Sequence, residues 1–284
     1  MIIVTGATGQ LGQLVIDGLL EKVPADQVVA AVRSPEKAAD FAARGVHVRE
    51  ADYDRPETLR PAFEGGTRLL LISGSEVGRR VPQHAAAVQA AQGAGIGHIV
   101  YTSAPHADTT VLGLAAEHKA TEEIIRETGL TYTLLRNNWY SEIYVPSIAQ
   151  AVETGAVIGS AGEGRVASAT RADYAAAAVA VLTGTGHDNR VYELAGDVSW
   201  TLDDLAGEIS RVSGKQVAYR NLSSEEHRAA LIGAGMPDAV ADLLVGIDRG
   251  IAAGALADTP GDLKALIGRP TTPISETITA TLGA

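Results

Sequence analysis

The sequence predicts an α/β protein with a doubly wound parallel sheet, and three observations lead there. Short Val/Ile/Leu-rich runs alternate with longer Ala-rich stretches of helical period up to about residue 136. The runs are continuously apolar, as strands covered on both faces require. Their order, βαβαβ repeated, is that of a sheet with helices on both sides.

Ile2-Ile-Val-Thr5 is the first strand, and a glycine-rich turn leads from it into a helix over 10–22. A second strand over 27–32 precedes a helix over 36–44, and a third over 46–50 precedes a helix over 56–64. The fourth strand, 67–73, feeds a helix over 79–95; the fifth, 98–103, feeds a helix over 113–128; the sixth covers 131–136. Ligands of such a sheet sit beyond the carboxyl ends of the strands, where strand order reverses. Chemistry is therefore expected around Gly6, Arg33, Asp52, Ser73, Ser103 and Asn137.

After Trp139 the pattern loosens. Glycine breaks at Gly155, Gly159, Gly162 and Gly164 are followed by a helix near 172–183, a strand near 191–195 and several amphipathic helices beyond 200. This predicts a Rossmann-type domain over 1–140, with sheet-associated returns near 165–195, and a smaller, mainly helical capping lobe over 141–284. The run Ala172 to Ala180 reads as close helix packing, since Ala is the best helix former.

With 46% hydrophobic and 20% charged residues among 284, the chain can bury a substantial core. A net charge of -11 argues against a nucleic-acid surface, which needs clustered Lys and Arg. The absence of cysteine excludes disulfides, thiolate metal sites and a Cys nucleophile, so redox work requires a borrowed cofactor. No basic leader and no apolar run near the roughly 20 residues of a membrane span are present, so a cytoplasmic location is expected.

Directly after the first strand stands Thr5-Gly6-Ala7-Thr8-Gly9-Gln10-Leu11-Gly12. Gly6 permits a tight turn, Gly9 lets the backbone approach a pyrophosphate, and Gly12 lets helix and strand pack closely. The helix opening at Gln10 offers free N–H groups and a positive dipole end to the anion, with Thr8 and Gln10 as polar neighbours. A glycine trio alone is weak; a trio that follows a strand, opens a helix and is succeeded on schedule by the next strand is a dinucleotide fingerprint. At the end of the second strand, where NAD sites commonly carry an acid for the ribose 2′-hydroxyl, this chain has Arg33, with Lys37 beyond it. A guanidinium forks onto a 2′-phosphate, so the expected cofactor is NADPH. Asp52 and Tyr53 are candidates for the adenine edge and face, a plain surface turn being the other reading of Tyr53.

None of the eight tyrosines has lysine four residues later, so the usual Tyr-x-x-x-Lys proton relay of short-chain dehydrogenases is missing. In its place the chain reads Glu117-His118-Lys119-Ala-Thr-Glu122. His118 and Glu122 share a helix face and either turn together toward the cofactor or form an exposed helical pair. One His-x-x-x-Glu lacks further ligands, so no metal is expected. No nucleophile elbow or Walker loop is present. After the sixth strand, Asn137-Asn138-Trp139-Tyr140-Ser141-Glu142 offers amides and aromatics for a nicotinamide and a flat acceptor, or an aromatic core between lobes.

At these residues the chain resembles the NmrA-like, atypical short-chain dehydrogenase/reductase family, and within it the bacterial quinone reductases. The resemblance covers nearly the whole chain, including Ala31-Val-Arg33-Ser-Pro, Leu70-Leu-Ile-Ser73-Gly-Ser75-Glu76-Val-Gly78, Pro82-Gln83-His84, Tyr101-Thr-Ser103, Tyr132 to Glu142, Ser168-Ala-Thr-Arg171-Ala-Asp173-Tyr174 and Tyr192 to Gly196. It implies NADPH held by Gly6 to Leu11, Arg33, Ser73-Gly74-Ser75 and Asn137 through Glu142, with Thr102 and Ser103 at the neighbouring strand end. It further implies flavin-free hydride transfer to a small-molecule quinone by a monomer or homodimer. Asn137 and Trp139 would then hold the reacting rings, with the proton from water or His118. Asn138, where relatives often carry Gly, and Ala104-Pro105 at the rim depart from the family pattern. Two other functions remain open: a dinucleotide-sensing regulatory protein with negligible turnover, and a nucleotide-sugar epimerase, which the missing Tyr-x-x-x-Lys opposes.

Overall fold

The structure is a computed structural model describing residues 1–283. Six strands come first: β1 (Ile2–Thr5), β2 (Val28–Val32), β3 (His47–Glu50), β4 (Arg68–Leu71), β5 (His98–Ser103) and β6 (Thr131–Asn137). Between them lie α1 (Gln10–Leu20), α2 (Ala39–Ala43), α3 (Leu59–Phe63), α4 (Arg80–Gly93) and α5 (Ala115–Glu127). The chain then makes α6 (Val145–Thr154), β7 (Ala156–Gly159) and β8 (Arg165–Val166), and returns through α7 (Arg171–Thr183) to β9 (Arg190–Leu194). It ends with β10 (Trp200–Thr201), α8 (Leu202–Ser213), β11 (Ala218–Asn221), α9 (Ser224–Gly233), α10 (Asp238–Ala252), α11 (Asp262–Ile267) and α12 (Ile274–Leu282).

The main sheet has the order β3-β2-β1-β4-β5-β6-β9, with every neighbouring pair parallel. This is the doubly wound Rossmann-type sheet that the sequence predicts. Strand order reverses between β1 and β4, and the crevice beyond their carboxyl ends is where such sheets bind ligands.

Successive strand residues point to opposite faces. Ile3, Val29, Leu69, Ile99 and Leu134 pack beneath Phe63, Val88 and Ile125 of α3, α4 and α5. Their sequence neighbours Val4, Ala30, Leu70, Val100 and Leu135 face Val15, Ile16 and Leu19 of α1 and Tyr174, Ala178 and Val181 of α7. None of the residues of β1, β2, β4, β5 and β6 is exposed, which is why the inner strands read as largely apolar runs, whereas the edge strands β3 and β9 keep exposed positions. Each fully buried Val, Leu or Ile contributes about 1.5–3 kcal/mol of burial free energy. Helices α1 and α7 approach closely: a Cβ on Gly18 would stand 3.0 Å from Val179 Cγ2. The alanine run of α7 is packing surface, as expected.

A third cluster joins Ile148, Val157, Trp200, Leu205, Ile251 and Ile278 to Ala104, Leu112 and Ala115 at the sheet's end. Its region contains two small sheets, β7 with β11 and β8 with β10, which the sequence reading does not anticipate. These strands have two to four residues each, and the flanking glycines that obscure them in the sequence are their turns. The helices expected over 36–44 and 56–64 begin instead as 3-10 turns opened by Pro35 and Pro56, leaving five-residue α2 and α3. Among the described residues, no helix is long and apolar enough to cross a membrane.

Candidate active site

The turn after β1 has the geometry its glycines suggest. Gly6 has φ +59°, which L side chains avoid, and its carbonyl accepts the Gly9 N–H at 2.9 Å. A Cβ on Gly12 would overlap the Gly6 carbonyl and stand 2.7 Å from Ala7 Cα, so α1 lies against the turn only because position 12 is bare. No side chain caps α1, which leaves its first N–H groups and positive dipole end to an anion. The side chains of Ala7 and Leu11 are buried in the core rather than turned to the cleft. Gln10 lies on the other side of the turn, in a hollow with Glu142 and Arg171.

Gly6, Thr8 and Gly9 form one wall of a cleft of about 380 Å³. Arg33 and Lys37 reach it from the end of β2, Asp52 and Tyr53 from the end of β3, and Ser73, Gly74, Ser75 and Glu76 from the end of β4. Residues from Gly6 to Gln83, separated by as many as 77 positions, thus line one cavity. The Arg33 guanidinium is 69% exposed and only 3.8 Å from Glu76, a weak pair that leaves it free to turn to a ligand. The Tyr53 hydroxyl donates to Thr5 Oγ1 at 2.7 Å, and burial pushes its pKa well above 10, so its ring, rather than its charge, faces the cleft.

The fourth strand was expected to extend to residue 73 but leaves the ladder at Leu71. Two hydroxyls take over its hydrogen bonds: Ile72 N–H donates to Thr5 Oγ1 at 3.0 Å and Ser73 N–H to Thr102 Oγ1 at 2.9 Å. The strand end is thereby splayed open to form the cleft. The loop beyond it is held from behind. Gly74 N–H donates to His84 Nε2 at 3.0 Å, and Arg80 Nε–H donates to the Gly74 carbonyl at 2.6 Å. Glu117 accepts the Gly78 N–H at 2.9 Å and pairs with Arg80 at 3.4 Å. Because Nε2 of His84 is an acceptor, Nδ1 carries the hydrogen and donates to Thr121 Oγ1, whose own proton goes to the Glu117 carbonyl. Burial, helped by the Arg80 charge, lowers the His84 pKa to about 4 and keeps this arrangement intact at neutral pH.

At the end of β6, the Asn137 side chain is 7% exposed; Nδ2 donates to Tyr140 Oη at 3.3 Å and Oδ1 has no partner. An unpaired buried acceptor at a strand end of this sheet fits a ligand that brings an N–H donor, as a carboxamide does. Glu142 Oε1 accepts the Arg171 N–H at 2.8 Å, while Oε2 lacks a hydrogen bond and faces the Arg171 guanidinium at 3.5 Å. Trp139 packs on the Trp200 cluster and Tyr140 on the α1 face, stacked edge-on against Tyr174, so each aromatic also serves as core. Asn138 spends its side chain on the Leu256 carbonyl at 3.3 Å and the Trp139 N–H at 2.8 Å. Ser141 is fully buried and bonds Ser168 Oγ at 2.9 Å.

His118 and Glu122 do share a face of α5, but neither is exposed. His118 Nδ1 meets Tyr101 Oη at 2.8 Å, and burial, with Arg80 and His84 nearby, lowers its pKa to about 3. Glu122 has left the histidine for Arg136, which donates from Nε at 2.9 Å and Nη2 at 2.7 Å, and for the Ser103 hydroxyl at 2.6 Å. The two residues therefore do not act as a pair.

Thr5, Arg80, Gln83, His84 and Glu117 shape the cleft; Thr5 and Glu117 stand in motifs that the sequence shows but in other roles, and for Arg80, Gln83 and His84 only the block Pro82-Gln83-His84, on the helix following the Ser73 loop, marks the region.

The NAD(P)H-binding family matches residues 6–185. The chain is 53% identical over 278 residues to Quinone oxidoreductase 2 of Escherichia coli (strain K12), covering 98% of this chain and 97% of that protein. It is 29% identical over 281 residues to an NmrA-like family domain-containing oxidoreductase of Aspergillus flavus, covering 95% and 91%. Its fold superposes with TM-score 0.97 on the crystal structure of an NADPH-dependent quinone oxidoreductase complexed with NADPH from Escherichia coli, at 52% identity over 99% of this chain and 100% of that one.

Proposed function

The chain belongs to the NAD(P)H-binding family, and from that premise we propose that it is an NADPH-dependent quinone oxidoreductase working without flavin. Its cofactor is NADPH. A dinucleotide sensor without turnover is not favoured, since the extensive likeness is to quinone oxidoreductases. The observation that carries the reading is the cleft itself: a bare glycine turn at an uncapped helix start, with Arg33 and Lys37 at the β2 end where an NAD site would place an acid.

The amides of Gly6 through Gly12 hold the pyrophosphate, and Arg33 with Lys37 holds the 2′-phosphate. Tyr53 presents its ring to the adenine. Ser73 to Ser75, fixed by Arg80 and His84, form the opposite wall. Asn137 offers Oδ1 to the nicotinamide carboxamide, and Trp139 stands by for the flat acceptor. Ser103 and Asn138 support these walls through Glu122 and Leu256.

Bound NADPH supplies a hydride from nicotinamide C4, and with one proton this converts a quinone to its hydroquinone. The hydroquinone anion is stabilised by its own aromatic ring, so little acid catalysis is needed and orientation supplies much of the rate. Water is the proton source, because buried His118 is neutral at working pH. The test is stopped-flow oxidation of NADPH by a small benzoquinone with purified, flavin-free protein. Turnover above the uncatalysed rate is expected. Arg33→Ala should weaken NADPH binding by about 1–3 kcal/mol, the scale of a charged hydrogen bond, and leave NADH nearly unchanged. No catalysed turnover, or equal losses for both cofactors, would overturn the corresponding assignment.

A further inference from the structure

An apolar groove of about 460 Å³ lies beside the cofactor cleft. Its walls come from Val77 after β4, from Val111 and Leu114 ahead of α5, and from Leu243 on α10. Val77, Val111 and Leu243 are 61%, 70% and 43% exposed, three large aliphatic side chains left in water around one hollow. Gly246 and Gly250, four apart and so on one helix face, also line it. A Cβ on Gly246 would meet nothing within 4 Å, so open space stands above that position.

The groove adjoins the cofactor cleft. Ser73 through Glu76 line the cleft and the very next residue, Val77, lines the groove, so this loop is the partition, and Leu112 and Leu114 of the groove share a hydrophobic cluster with Trp139. The Gly78 N–H bond to Glu117 holds that partition against α5. The volume falls in the range of about 300–1,000 Å³ typical of small-molecule pockets. A stable protein interface takes about 20–30 residues a side, and this groove has eleven. Its charged residues are Asp242 and Arg249, and Asp242 is already engaged by Arg228 at 2.6 Å.

We propose that this groove receives the aliphatic side chain of a tailed quinone whose ring reacts beside Trp139, at the nicotinamide end of the site. The assignment rests on the quinone reductase reading above and specifies its substrate class. A hydrocarbon chain asks for no hydrogen bonds, and each methylene taken out of water strengthens binding about fourfold.

The experiment compares kcat/KM for a tail-less dimethoxy-methyl-benzoquinone and its decyl homologue, in the wild type and in Gly246→Leu. The decyl compound should be favoured at least tenfold in the wild type, through KM. Gly246→Leu, which fills the open space, should erase most of that preference and leave kcat and KM for the tail-less quinone unchanged. Gly246→Ala, a helix-favouring change, controls for the helix itself and should keep most of the preference. Equal kcat/KM for both quinones in the wild type, or a Gly246→Leu variant that still prefers the decyl compound, overturns the proposal. So does a Gly246→Leu variant that only shifts the sedimentation coefficient, which would make the groove a contact between copies. Failure to turn over either quinone would instead overturn the underlying reading.

Discussion

His84 accepts the Gly74 amide through Nε2, so it supports the cleft wall only as a neutral ring. His118, against Tyr101, is likewise held neutral. Their pKa values of about 4 and about 3 lie below the value near 6.5 of an unfolded histidine. As pH falls from about 6.5 toward these values the unfolded chain binds more protons than the folded one, so stability is fully present above about 6.5 and lost through the window below. Urea midpoints at pH 7 and pH 5 should show a loss of roughly 1–2 kcal/mol per histidine. In His118→Phe the slope should be shallower by about one proton; an unchanged slope would remove His118 from the account. Neither histidine's protonation was legible from its neighbours in sequence, because burial comes from α4 and α5 packing on the sheet.

At the scale of elements, α1 and the turn before it are a unit whose tightness depends on one missing methyl. Gly12→Ala should tilt α1 off the Gly6 carbonyl and cost about 1–3 kcal/mol, the usual range for overpacking, together with most of the NADPH affinity. Calorimetric titration with NADPH checks this, and wild-type affinity in Gly12→Ala would show that the helix tolerates displacement. The turn was legible in the sequence because its chemistry is local: strand, glycines and helix start lie within twelve residues. The end of β4 was less so. Its apolar run continues to Ile72, yet Thr5 and Thr102, on neighbouring strands, capture its N–H groups and open it. The short strands β7, β8, β10 and β11 were hidden for a related reason, since two to four residues carry no usable period.

For the molecule as a whole, Arg136 is the joint between sheet, helix and loop. It is 5% exposed and reaches Glu122 on α5, Glu193 on β9 and Asp108 in the loop after β5. Burial disfavours its charge, but the hydrogen bonds it donates to Glu122 and Glu193 outweigh that cost and raise its pKa. Removing it leaves Glu122, 1% exposed, without its main counter-charge. Arg136→Met should therefore cost about 3–5 kcal/mol in urea denaturation, and adding Glu122→Gln should recover part of it. No recovery would mean that packing, not charge, is what Arg136 supplies. The sequence by itself determined the Rossmann-type sheet, the glycine turn and the two cations beyond the end of β2, because apolar period, glycine spacing and the residue at a strand end are short-range properties. Only the tertiary structure decided that Glu122 serves Arg136 and not His118, that His84 and Arg80 brace the cleft, and that an apolar groove adjoins it. Those outcomes depend on which helix faces meet across the sheet, and long-range packing leaves no mark in local spacing.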